Sequence, residues 1–141
     1  MSSKTINPTA LGSPRGYSNG ILVDGNDKLL FIAGQIAWNE DQQIVSDSFV
    51  EQFDRALANV ISVLTEAGGN PTNITRLGIY LTNKAEYLAS TKEVGQRYRK
   101  HMGKHYPAMI LLEVKGLLDD AAKVEIGAIA VLTLPVCKPK T

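Results

Sequence analysis

Lys123-Val124-Glu125-Ile126-Gly127-Ala128-Ile129-Ala130-Val131-Leu132-Thr133-Leu134 reads as a strand with apolar residues on both of its alternating faces. Val124, Ile126, Ala128, Ala130 and Leu132 form one set. Ile129 and Val131 belong to the other. A strand of this kind needs cover on both sides. Just upstream, a strand over 108–114 puts Ala108, Ile110, Leu112 and Val114 on one face. Met109, Leu111 and Glu113 lie on the other. Cover for such a sheet must come from helices, from a loop, or from a second copy of the chain.

Two helices are predicted. Over 48–67, Phe49, Phe53, Ala56, Leu57, Val60, Ile61 and Leu64 recur at helical spacing. Ser48 with Glu51 fits a capping box, and Gly68-Gly69 with Pro71 is a stop. A second helix covers about 84–102, with Tyr87, Leu88, Thr91, Val94 and Tyr98 on one face and Gly103 and Pro107 closing it. Between them, Leu77, Ile79 and Leu81 alternate in a strand over 74–82. Ile21-Leu22-Val23 and Leu29–Ala33 flank Asp24-Gly25-Asn26-Asp27 and predict a β-hairpin. Residues 1–18 read as an arm and 135–141 as a frayed tail. The order is ββαβαββ, an α+β mixed sheet with both helices on one face, in a single domain over 1–141. The bare face favours a homo-oligomer.

Net charge is +1, from Lys+Arg 15 against Asp+Glu 14. That balance points away from nucleic acid and from membrane surfaces. No apolar run suits a bilayer, and the first residues lack the apolar stretch of a signal peptide. Cys137 has no partner for an internal disulfide and lies past the predicted fold. A cytoplasmic protein is expected. His101 and His105 lack acidic or thiol neighbours at ligand spacing, so neither a metal nor a cofactor is expected. No phosphate loop or Gly-x-Ser-x-Gly motif is present.

Seven segments, in order, carry a resemblance. They are Gly16-Tyr17-Ser18-Asn19-Gly20, Phe31-Ile32-Ala33-Gly34-Gln35-Ile36, and Gln52-x2-Arg55-Ala56-Leu57-x-Asn59-Val60. Ala67-Gly68-Gly69, Tyr80-Leu81-Thr82, Pro107-Ala108 and Val124-Glu125-Ile126-x-Ala128-Ile129-Ala130 follow. Across about residues 12–132 the chain resembles the Rid/YjgF family of imine and enamine deaminases. That resemblance implies a chorismate-mutase-like homotrimer. Its three sheets would form an inner β-barrel, with helices outside and small-molecule clefts between subunits. It also implies hydrolysis of imines, a reaction that needs a water, a proton source and a clamp on the neighbouring carboxylate.

The resemblance assigns residues one by one. Glu125 matches the glutamate that positions the attacking water; partial burial would raise its pKa. The alternative is a rim carboxylate held by a cation. Tyr17 matches the site tyrosine, Gly34 a glycine whose amide approaches ligand, and Ala33 a position often held by serine. Met109 stands where active members carry an arginine, and Leu111 where a cysteine is common. An arginine makes two parallel bonds to a carboxylate; a thioether is only a weak acceptor. Met109, Leu111 and Ala33 would thus make an apolar cleft wall, and Glu113 would repel an anion. Arg15 reads either as a substitute cation or as a solvated one. Lys92, Arg97, Arg99, Lys100 and His101 are expected to solvate the second helix. The function expected is a divergent deaminase with altered substrate or reduced activity. The alternative is a trimer that binds without catalysis.

Overall fold

The computed structural model describes residues 3–23 and 25–133. The expected tail at 135–141, Cys137 within it, and Asp24 of the expected turn lie outside the described residues. The strands are β1 (Ser3–Ile6), β2 (Gly20–Val23), β3 (Lys28–Gln35), β4 (Ile74–Leu81), β5 (Ala108–Glu113) and β6 (Val124–Leu132). The helices are α1 (Phe49–Glu66), α2 (Lys84–Ala89) and α3 (Thr91–Met102). None is long and apolar enough to cross a membrane.

Four strands make a mixed sheet in the order β3-β6-β4-β5. β6 is antiparallel to both neighbours, whereas β4 and β5 run parallel. A parallel pair needs a crossover, and α2 and α3 supply it. One sheet face packs on α1 and α3 through Leu77, Ile79 and Leu81 of β4 and Val124, Ile126, Ala128 and Ala130 of β6. Phe53, Leu57 and Val60 of α1 meet them from above. The opposite face carries Phe31 at 69% exposure, Leu29 at 61% and Leu112 at 49%. The helices therefore share one face, as the periodicity predicts, and the other face is left apolar and open.

α1 starts at Ser48, whose side chain accepts from the Glu51 amide at 3.3 Å. The other half of the expected capping box is different: the Glu51 carboxylate takes the Ser46 hydroxyl instead. Gln52 is the polar exception on the buried face of α1. Its amide nitrogen donates to the Ser46 and Ala121 carbonyls (2.8 and 3.0 Å), and its oxygen accepts from the Lys123 amide at 2.8 Å. Asn59 likewise donates to the Ile36 and Trp38 carbonyls. Both residues tie the helix to loops whose backbone groups would otherwise be unpaired.

Three expectations are corrected. β2 and β3 do not form a hairpin: β2 pairs with β1, and β3 pairs with β6. Turn residues between two apolar runs permit a reversal but do not choose the partner, and β6 offers β3 a longer apolar register. The N-terminal arm, expected at 1–18, contains β1, which pairs with β2. The single helix over 84–102 breaks at Ser90 (φ −122°, ψ 18°) into α2 and α3. This lets α2 set Tyr87 edge-on to Phe49, at 6.5 Å between ring centres. Leu88, expected on the buried face, is 65% exposed.

Candidate functional site

Ser18 anchors the arm to the start of β5. Its amide donates to the Pro107 carbonyl at 3.0 Å and its hydroxyl to the Tyr106 carbonyl at 2.6 Å. Gly16, with φ 74°, turns the chain just ahead of this anchor, in a conformation that favours glycine. The result places Arg15 and Gly16 against the edge of β5. There a cavity of about 210 Å³ opens between β5 and α3. Its floor is Met109 and Leu111 with Phe53, Ile79 and Val94, all on the helix-covered side of the sheet. Tyr98 and Tyr106 form a wall, stacked at 5.5 Å and nearly parallel. The Tyr98 hydroxyl donates to the His105 carbonyl at 2.6 Å. Burial, and then Tyr106, push its phenol well above the usual range, so it stays neutral. Arg15 and Arg99 also line the cavity, with Tyr87, Thr91 and Gly95.

Gly34 and Glu125 lie on the opposite face. Register between β3 and β6 shifts between Ile32 and Gln35, a bulge that contains Ala33 and Gly34. The half-buried Glu125 side chain folds over the bulge. A Cβ built on Gly34 would sit 2.8 Å from its carboxyl carbon. Gly34 is thus a strand glycine at a bulge, beside the Glu125 carboxylate. Beside them the open face dips between Phe31, Arg76, Gly78, Tyr80, Gly127 and Ile129, leaving about 220 Å³. A carboxylate beside exposed backbone and small residues can hold a water and exchange a proton with it.

The expected cleft wall does not form within one protomer. Met109 and Leu111 join each other, but Ala33, Gly34 and Glu125 are on the other side of the sheet. Strand alternation fixes a residue's face relative to its neighbours; which face meets the helices is decided by packing. Tyr17 is exposed and lines a separate depression with Ser18, His105 and Tyr106. Glu113 does not crowd the cavity; its carboxylate accepts from the Lys84 amide at 2.8 Å and holds the start of α2. The cations of α3 are also reassigned. Arg97 (2.5 Å), Lys100 (3.3 Å) and His101 converge on Asp54 of α1, whereas Arg99 faces the cavity.

The Endoribonuclease L-PSP family matches residues 8–132, nearly the whole chain. The chain belongs to the Rid/YjgF family. A RutC family protein of Pyrococcus abyssi is 34% identical to it over 115 residues, spanning 81% of this chain and 84% of that one. A 2-iminobutanoate/2-iminopropanoate deaminase of Capra hircus is 30% identical over 125 residues, spanning 88% and 83%. Among solved structures, YyfB of Yersinia pestis, a Rid protein of unknown function, superposes with a TM-score of 0.83. It is 29% identical and covers 94% of this chain and all of that one (100%). These likenesses establish a Rid fold of mixed α and β structure around one four-stranded sheet.

Sequence reasoning missed Arg99 and the Tyr98–Tyr106 stack in this Rid chain. Arg99 sits among Arg97, Lys100 and His101, and nothing in that run sets it apart. A faint signal was available in Gly95, four residues earlier. A glycine inside a helix is destabilising relative to alanine by roughly 0.5–1 kcal/mol and calls for a reason. Here the Arg99 guanidinium packs over the glycine: its Nη1 would lie 3.1 Å from a Cβ at Gly95.

Proposed function

We propose that this Rid/YjgF chain is a divergent imine or enamine deaminase, working as a homotrimer with its sites between subunits. The observation that carries the reading is the division of site residues between two faces of one sheet. Glu125 and Gly34 lie on the open face, and Met109 and Leu111 floor a cavity at the β5 edge. A cleft holding both needs the open face of one copy against the edge of another. The bare apolar face, with Phe31, Leu29 and Leu112, supports such an assembly. Glu125 would take a proton from water as the water adds to the imine carbon, then return it to the departing nitrogen. An imine and water thus give a carbonyl compound and ammonia.

Met109 leaves no guanidinium on β5, so small amino-acid-derived imines bind poorly. The expected result is slow hydrolysis of 2-iminopropionate by the native protein and a gain of about tenfold to a hundredfold in kcat/KM for Met109→Arg. That gain corresponds to the roughly 1.5–3 kcal/mol of a charged hydrogen-bonded pair. Native turnover matching that of arginine-bearing relatives would overturn the loss of the clamp. A second reading, a trimer that binds ligand without catalysis, draws on the apolar floor of the cavity. It holds if neither protein hydrolyses any imine while Met109→Arg remains folded.

A further inference from the structure

We infer that the cavity over Met109 and Leu111 takes a small carboxylate with an apolar body, seated tail-first and held at its mouth by Arg15 and Arg99. The inference rests on the reading of that cavity as part of the ligand site, and it names the substrate class. At about 210 Å³ the space is below the roughly 300–1,000 Å³ typical of drug-sized ligands, which suits one ring or a short branched chain. Its floor offers methyl, thioether and ring carbons and cannot pair an anion. Its charge is confined to the two arginines.

Each arginine is placed by a specific structural device. Arg15 is carried to the β5 edge by the two Ser18 hydrogen bonds. Arg99 lies along α3 with its guanidinium over Gly95, where a Cβ would stand 3.1 Å from Nη1. Among the described residues neither makes an ion pair, whereas Arg97 and Lys100, on the same helix as Arg99, are both committed to Asp54. Two unpaired guanidinium groups beside an apolar pocket suit an anion whose other end is greasy, and their planar forks match a carboxylate. With its cations at the mouth and Met109 on the floor, the cavity selects an anion whose apolar end enters first.

Phenylacetate, its neutral analogue phenylacetamide, and acetate test this by titration, read from the ¹³C-methyl resonance of Met109. Phenylacetate should shift that resonance and bind about tenfold more tightly than the amide, and acetate should bind weakly. The Arg15→Gln, Arg99→Gln double variant should lose about tenfold in phenylacetate affinity, and added salt should reduce native affinity in the same direction. Equal binding of acid and amide, or a double variant within about twofold of native, would overturn the proposal. Binding requires no turnover, so the two readings fail separately. Arginine-dependent phenylacetate binding without hydrolysis of any imine would remove the deaminase and leave this inference standing. Hydrolysis of 2-iminopropionate that is unchanged in the double variant, with no phenylacetate binding, would do the opposite.

Discussion

Glu125 folds over a residue with no side chain, and Asp54 sits among Arg97, Lys100 and His101; both cases show how one position can be decided by its neighbours. A Cβ at Gly34 would lie 2.8 Å from the Glu125 carboxyl carbon, so a side chain there would push the carboxylate aside. Asp54 is a structural counterpart. Burial pushes its carboxyl up, but hydrogen bonds from His101, Arg97 and Lys100, with the His101 charge, outweigh that and hold it at about 2 instead of 3.8. A folded-state pKa below the unfolded one means stability that is present above pH 3.8 and lost as pH falls through about 2. Asp54→Asn should therefore lower the melting temperature at pH 7 and flatten its acid decline. Parallel melting curves for native and variant between pH 6 and pH 2 would contradict this; the check is a calorimetric pH series, with the loss concentrated at the high end of that window.

Among the elements, α1 is the organiser, and its polar residues matter as much as its apolar stripe. Gln52 is fully buried yet fully bonded, to two carbonyls and one amide in two separate loops. Gln52→Leu keeps the volume but strands those three backbone groups. The expected cost is about 2–3 kcal/mol in urea unfolding, from the desolvation of unpaired polar groups. A change below about 0.5 kcal/mol would mean that water replaces the glutamine. The helix itself was legible from Phe49, Phe53, Leu57, Val60 and Leu64, because burial against a flat sheet imposes a 3.6-residue period. The break at Ser90 was not legible. Serine is tolerated inside helices, so Ser90 does not announce a break; the bend accompanies the edge-on contact of Tyr87 with Phe49. The β1–β2 pairing was also hidden, since Ser3–Ile6 has too few apolar residues to announce a strand.

At the scale of the molecule, the open face of the β3-β6-β4-β5 sheet calls for a partner. Phe31, on the edge strand β3, has 69% of its surface exposed on that face. If copies meet there, Phe31→Glu would bury a charge in the interface and should turn a trimer into monomers by sedimentation velocity, with the protomer still folded. A native protein that already sediments as a monomer would remove the intersubunit site from the proposed function.

The sequence by itself determined the sheet with helices on one side, the two-faced strand read over 123–134 and the apolar pair Met109 and Leu111. It also carried the family, through motifs spread from Gly16 to Ala130. These are local or ordered patterns, and periodicity reports them directly. Only the tertiary structure decided which side of the sheet those residues face, and it alone brought Arg15 and Arg99 to one cavity. The physical reason is range. The bond that carries Arg15 to β5 runs from Ser18 to the Tyr106 carbonyl, 88 residues away. A contact at that separation leaves no period or spacing in the chain, and it forms only when the fold has closed.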